Sequence, residues 1–139
     1  MTDFKKVFFD TAPFIYYLED DGVFYEKAEK LFTENREADF VTSTVTVGEY
    51  LTGAFKKNDE QNASDFKNVI ADYYFEVVPI SWEIAEEAAR IRAKYSGFKM
   101  MDSLQLATAK IKGCDAFISN DLQLKKYEDV MVIVVDEVK

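Results

Sequence analysis

Short apolar runs alternate with amphipathic segments along almost the whole of this chain of 139 residues. Runs typical of buried strands cover Val7–Phe9, Asp39–Ser43, Tyr74–Ile80, Ala116–Ser119 and Val130–Val135. The segments between them carry apolar residues at helical spacing, and a regular order of strand and helix favours a parallel sheet covered by helices. We therefore predict one α/β domain over residues 1–139, with a mainly parallel sheet of about five strands and right-handed crossovers.

The predicted helices follow from the spacing of apolar residues and from residues that favour helix ends. Amphipathic helices are predicted over Phe24–Glu37 and Trp82–Tyr95, the second capped by Ser81. Gly113 suits the end of a helix that opens at Asp102. The other predicted pieces are a short helix after Thr11, a turn over 19–22, a helix from Thr44 to about Lys57, a helix capped by Ser64 and a helical piece over Leu122–Tyr127.

Four acidic residues stand where these strands end or these helices begin, namely Asp10, Glu49, Asp102 and Asp121. The carboxyl ends of parallel strands share one edge of a sheet, so the four side chains are expected to meet in one crevice. Carboxylates gathered in this way repel one another unless a cation lies among them. The sequence therefore predicts a divalent-metal site.

Each of these acids also has an ordinary structural interpretation. Asp10 and Asp121 suit a helix cap and a turn. Glu49 stands three residues after Thr46, as in a capping box, and Asp102 would be an N-cap paired in the same way with Gln105. The prediction of a site rests on the four acids together, with short polar side chains beside them.

Composition limits the chemistry that is open to the chain. It has no histidine, which excludes Ser-His triads and histidine-bound zinc and leaves hard oxygen ligands suited to Mg²⁺ or Mn²⁺. A net charge of -9 argues against an extended basic surface, although local cations can still hold phosphates. Cys114 is the only cysteine, and no apolar run is long enough to span a bilayer. With a polar N-terminus, these features predict a cytoplasmic protein without a membrane segment.

The segments around the four acids resemble the motifs of PIN-domain ribonucleases, especially VapC-like toxins of toxin–antitoxin pairs. The first reads Val-Phe-Phe-Asp-Thr-Ala-Pro-Phe-Ile-Tyr-Tyr-Leu-Glu over 7–19, and the second Thr-Ser-Thr-Val-Thr-Val-Gly-Glu over 42–49. The third reads Met-Asp-Ser-Leu-Gln-Leu-Ala-Thr-Ala over 101–109, and the fourth Phe-Ile-Ser-Asn-Asp over 117–121. Together they cover the chain nearly end to end.

The resemblance implies a three-layer α/β/α fold, an acidic Mg²⁺ or Mn²⁺ site and endonucleolytic cleavage of RNA. The four acids match the family's catalytic, metal-binding positions, and Thr11 and Ser119 match its polar supports. We predict that Asp10, Asp102 and Asp121 bind the metal, while Glu49 orients the attacking water or a second ion. One departure is Leu122-Gln123-Leu124, where many relatives carry another acid, which weakens the case for a second metal; another is Ser119, where threonine is common.

The expected partners are an RNA substrate and a cognate antitoxin, with a homodimer as a further option. Lys99, close in sequence to Asp102, is the first candidate for an RNA contact. The early helices hold more large aromatic residues than one core face requires, and these could line a groove for a partner helix, a homodimer interface or the core. They are Phe14, Tyr16, Tyr17, Tyr25, Tyr50 and Phe55.

Three alternatives fit the residues less well than a PIN-like ribonuclease does. A phosphatase of the haloacid-dehalogenase type would carry a second aspartate two residues after the first, where this chain has Ala12. A phospho-receiver would need an acceptor aspartate after a central strand, and the third strand ends in Pro79-Ile80-Ser81. A catalytically silent PIN-like module that binds RNA or protein is the non-enzymatic alternative.

Overall fold

The computed structural model describes residues 3–19 and 22–139, and its strands form one five-stranded sheet in which all neighbours are parallel. The strands are β1 (Lys6–Phe9), β2 (Asp39–Ser43), β3 (Glu76–Val78), β4 (Ala116–Ser119) and β5 (Met131–Val134). Their order across the sheet is β3-β2-β1-β4-β5. The predicted number and direction of the strands are confirmed.

Six α-helices connect these strands within the described residues. They are α1 (Thr11–Leu18), α2 (Gly22–Glu34), α3 (Thr44–Lys56), α4 (Glu60–Asp72), α5 (Trp82–Lys94) and α6 (Met100–Ile111). Two 3₁₀ segments, Leu122–Lys126 and Val135–Glu137, flank β5. None of the helices in the described part of the chain is long and apolar enough to cross a membrane.

Two hydrophobic cores lie on opposite faces of the sheet. In β1, Val7 and Phe9 point into one core and Phe8 into the other, as the period of two in a strand requires. The Phe8 core contains the inner faces of α5 and α6, and the Phe9 core contains those of α1 to α4. The fold is therefore the expected three-layer α/β/α arrangement.

The Phe9 core takes up most of the aromatic residues of the early helices. The Phe9 ring stacks on Phe32 with centroids 4.6 Å apart and also meets Phe14 and Phe40. Phe14 and Tyr50 are buried, and Tyr16 and Tyr17 pack against the same core. Of the aromatic residues considered for a partner groove, Phe55 is the most open, with 52% of its surface exposed.

Three local predictions were wrong. The third strand is shorter than 74–80, because Tyr74 has a positive φ of 53° and is 90% exposed, which keeps it out of the sheet. The fourth helix begins at Glu60, and its cap is the Asp59 side chain, not Ser64. Asp102 does not cap its helix, which starts two residues earlier at Met100. The predicted turn over 19–22 includes residues 20 and 21, which lie outside the described residues.

Candidate active site

The carboxyl ends of β1 and β4 define the position of the site. Phe9 pairs with Ile118, and the backbone N–H of Asp10 donates to the carbonyl of Ile118 at 2.9 Å. β1 is the central strand of the sheet. The strands that follow it in sequence, β2 and β3, lie on one side of it, and β4 and β5 lie on the other side, so the direction of the strand order reverses between β1 and β4. Open α/β sheets form their crevice at such a switch point, beyond the strand ends.

Asp10 is the hub of this crevice. Its Oδ1 accepts hydrogen bonds from the backbone N of Thr11 at 2.9 Å and from Nε2 of Gln105 at 3.1 Å. Its Oδ2 accepts one from the hydroxyl of Ser119 at 2.9 Å. Burial raises the pKa of the Asp10 carboxyl; the three hydrogen bonds oppose this rise, and the charge of Glu49 adds to it.

Asp102 lies in the first turn of α6 and is half-buried. Its pKa is raised from 3.8 to about 6, first by burial and then by the negative charges of Asp10 and Asp121. Lys99 opposes this rise and Glu49 adds a smaller repulsion. The charges of Asp10, Asp121 and Glu49 all act on Asp102, so the four predicted acids lie around one crevice.

Glu49 and Asp121 form the exposed margin of the crevice. The hydroxyl of Thr11 donates to Oε1 of Glu49 at 2.5 Å, which joins α1 to α3. Glu49 is not part of a capping box, because α3 already begins at Thr44 under the cap of Ser43. Asp121 caps the 3₁₀ segment by accepting from the backbone N of Gln123 at 3.0 Å.

Gln105 is the one central residue whose role the sequence analysis misjudged. We expected it to complete a capping box, yet it is buried inside the site and contacts Asp10, Ser43 and Thr46. The sequence signal was a long polar side chain between Leu104 and Leu106, in a helix segment whose other residues are apolar or small. Such a residue needs buried polar partners, and the acid site supplies them.

Cations lie around the loop between α5 and α6 and on the 3₁₀ segment that Asp121 caps. Lys99 is exposed immediately before α6. A cavity of about 240 Å³ between the loop and the 3₁₀ segment is lined by Lys94 and Lys126, together with Gly97 and Gln123. Among the described residues, neither Lys94 nor Lys126 forms an ion pair, and no acid lines this cavity.

The donor atoms of the crevice suit a hard divalent cation, since they are carboxylate and hydroxyl oxygens. Within the part of the chain that the structure describes, no three acidic side chains lie close enough together to enclose an ion. Mg²⁺ keeps several of its own waters and commonly binds through one or two carboxylates and the phosphates of a substrate. The residues therefore fit a hydrated ion held partly by a substrate, and not an ion enclosed by protein ligands alone.

An acidic crevice at the carboxyl edge of a parallel sheet, between two helical layers, defines the structural class of this protein. The PIN domain family model matches residues 7–130. The chain belongs to the PIN domain family. No curated protein matches its sequence.

Several solved structures share this fold. DNA-bound VapBC from Salmonella typhimurium superposes with a TM-score of 0.77 at 20% identity, covering 94% of this chain and 98% of that chain. VapBC2 from Rickettsia felis, bound to a promoter DNA fragment, superposes with a TM-score of 0.74 at 16% identity, covering 93% of this chain and 98% of that chain. VapC20 from Mycobacterium tuberculosis, described as a sarcin-ricin loop cleaving toxin, superposes with a TM-score of 0.70 at 16% identity, covering 89% of this chain and 98% of that chain. The predicted PIN-like fold is confirmed.

Proposed function

We propose that this protein is a metal-dependent endoribonuclease that hydrolyses RNA phosphodiester bonds with Mg²⁺ or Mn²⁺ as its cofactor. We further propose that it is the toxin of a type II toxin–antitoxin pair, acting in the cytoplasm as a single domain over residues 1–139. Membership in the PIN domain family supports the nuclease activity. Likeness in fold to structures of VapBC complexes supports an antitoxin partner.

The observation that carries the nuclease proposal is the meeting of acids at the carboxyl edge of the sheet, where Ser119 bonds both Asp10 and Asp121. The raised pKa of Asp102, about 6, agrees with this arrangement, because it reflects burial next to Asp10 and Asp121 with Lys99 as the opposing cation. Carboxylates gathered in this way repel one another, and a ligand of opposite charge relieves the repulsion. A divalent cation is that ligand, and hydrolysis of a phosphodiester is the chemistry that such a cation supports.

Each acid has a role that follows from its surroundings. Asp10, Asp102 and Asp121 would hold the ion, directly or through water, and when bound it would supply an activated water and neutralise charge on the phosphate. The hydrogen bonds of Asp10 keep its carboxylate in one orientation. Glu49, which is exposed and bonded to Thr11, would orient the attacking water. Ser119 supports Asp10 from the neighbouring strand.

The cations beside the acids are the proposed binding surface for the RNA backbone. Lys99 lies next to the acids, and Lys94 and Lys126 line the adjacent cavity without ion pairs of their own among the described residues. Phosphate contacts of this kind position a nucleic acid without reading its sequence. Local cations of this kind would allow a protein with a net charge of -9 to bind RNA, which is also negatively charged.

Cleavage of a labelled single-stranded RNA by the purified chain tests the proposal. We expect products in Mg²⁺ or Mn²⁺, none in EDTA, and none from Asp10→Asn or Asp102→Asn, while Asp72→Asn, an exposed change on α4, cleaves like wild type. Attack by water leaves no cyclic phosphate, so product ends that carry a 2′,3′-cyclic phosphate would indicate a contaminating ribonuclease. Metal binding without cleavage of any RNA tested would favour the silent binding module.

A further inference from the structure

Gln105 is a long polar residue buried in the middle of α6. Its side chain is only 1% exposed, and it makes three hydrogen bonds to three different segments. Nε2 donates to Oδ1 of Asp10 at 3.1 Å and to Oγ1 of Thr46 at 2.7 Å. Oε1 accepts from the hydroxyl of Ser43. The amide thus uses both of its donors, and it connects α6 to the ends of β1 and β2.

The partners of Gln105 fix which way its amide faces: Ser43 lies on its oxygen side and the Asp10 carboxylate on its nitrogen side. The Oγ of Ser43 accepts a hydrogen bond from the backbone N of Val45 at 3.1 Å, as the cap of α3. The hydroxyl of Ser43 also donates to Oε1 of Gln105, and Nε2 faces the opposite way, toward Asp10. The reversed amide would bring its oxygen against Oδ1 of Asp10, so that two acceptors would face each other without a proton between them.

The hydrogen bonds of Asp10 leave one direction open. A carboxylate has about four lone-pair positions. Thr11 and Gln105 use two on Oδ1, and Ser119 uses one on Oδ2. The remaining position is on Oδ2. Without the donor from Gln105, Oδ1 would keep only its local bond to Thr11, and the carboxylate could turn away from the crevice.

We propose that Gln105 is a positioning residue that holds the Asp10 carboxylate so that one oxygen lone pair faces a divalent cation. This inference rests on the proposed function, because it requires that Asp10 binds the ion. Groups that orient a metal ligand in this way typically change metal affinity or activity by about 10–100-fold when they are removed. Gln105 itself touches neither the ion nor the substrate in this proposal.

The variant Gln105→Met tests the inference, since methionine keeps the length of the side chain and removes both donors. Its matched control is Thr46→Val, which removes one buried hydrogen bond from the same amide but leaves the bond to Asp10. We expect Gln105→Met to weaken Mn²⁺ binding, measured by titration of the folded protein, about tenfold or more, and to lower kcat with KM for RNA nearly unchanged. Thr46→Val is expected to stay within about threefold of wild type.

Equal effects of the two variants, or Mn²⁺ binding by Gln105→Met at wild-type strength, would overturn the positioning role. If Gln105→Met does not fold, the inference is tested by a measurement on the wild-type protein. The side-chain amide resonances of Gln105 in ¹⁵N-labelled protein are expected to shift on addition of Mg²⁺, and unmoved resonances at saturating Mg²⁺ would overturn it. If wild type itself binds neither ion, the proposed function fails. If wild type binds the ion and cleaves RNA while Gln105→Met matches Thr46→Val, only this inference fails.

Discussion

The hydroxyl of Ser119 lies 2.9 Å from Oδ2 of Asp10 and donates a hydrogen bond to it. The same hydroxyl oxygen accepts a hydrogen bond from the backbone N of Asp121 at 3.2 Å. One buried side chain at the end of β4 therefore connects two of the proposed metal-binding acids. The turn after β4 and the carboxylate of Asp10 are thus linked through one hydroxyl.

Replacement of Ser119 by alanine should affect the site more than the fold. We expect Ser119→Ala to lower cleavage about tenfold and to require more Mn²⁺ for half-maximal activity, because Asp10 loses one of its three orienting hydrogen bonds. The cost in unfolding free energy should be about 1 kcal/mol, the usual contribution of one hydrogen bond. The matched control is Ser103→Ala, whose buried hydroxyl bonds only to the carbonyl of Lys99 among the described residues. Equal losses of activity in both variants would contradict the role of Ser119.

The raised pKa of Asp102 predicts a stability effect that depends on pH. The folded-state pKa of about 6 lies above the ordinary value of 3.8, so the folded protein holds this proton more tightly than the unfolded chain does. The resulting stabilisation is present below pH 3.8 and is lost as the pH rises through about 6. Without divalent metal, the Asp102→Asn variant should therefore be as stable as wild type near pH 3.8 and more stable than wild type at neutral pH.

We expect this gain at neutral pH to be roughly 1 kcal/mol, because solvent screens a half-buried carboxylate, or roughly 3 °C in Tm. Calorimetry of wild type and Asp102→Asn in EDTA, across the titration range, measures it. Asp72→Asn serves as the control for loss of one exposed negative charge. A neutral-pH Tm of Asp102→Asn below that of wild type would show that the carboxylate stabilises the metal-free fold and is not strained by its neighbours.

The two lysines of the cavity beside the acids should govern RNA affinity and its dependence on salt. Lys94→Gln combined with Lys126→Gln should raise KM about tenfold with kcat almost unchanged. The slope of log K against log salt should fall by roughly 1.4 for single-stranded RNA, about 0.7 for each phosphate that the protein no longer neutralises. The control pair is Lys5→Gln with Lys67→Gln, since Lys5 lies before β1, at the opposite edge of the sheet, and Lys67 is exposed on α4. An unchanged slope of log K against log salt in the double variant would show that RNA does not contact the lysines of this cavity.

Loss of the hydroxyl should change the stability of the fold differently at two tyrosines, Tyr127 and Tyr50. The Tyr127 hydroxyl is buried and has no hydrogen-bond partner among the described residues, and burial raises its pKa. Tyr127→Phe should therefore be neutral or stabilising by up to about 1 kcal/mol. The Tyr50 hydroxyl donates to Oδ1 of Asn62 at 2.6 Å, so Tyr50→Phe should destabilise by about 1 kcal/mol. Urea unfolding of both variants measures the difference, and a loss of stability in Tyr127→Phe would show that its hydroxyl does have a partner.

Most of the architecture was predictable because it depends on local patterns. The apolar runs that end at Asp10 and at Ser119 are strands at the expected places, and Ser81 caps α5 as its position before an amphipathic segment indicated. Prediction was poorer at element ends, where single side chains compete. Asp59, and not Ser64, caps α4, and the positive φ of Tyr74 shortens β3.

The sequence by itself determined the order of strands and helices, the four acids and the absence of histidine, because periodicity and composition are local properties of the chain. Only the tertiary structure decided how those acids are held. Gln105 meets Asp10 across 95 positions of sequence, and Asp102 has its raised pKa only because packing buries it beside Asp10 and Asp121. Hydrogen-bond geometry and desolvation depend on distances that the fold creates, so no pattern along the chain records them.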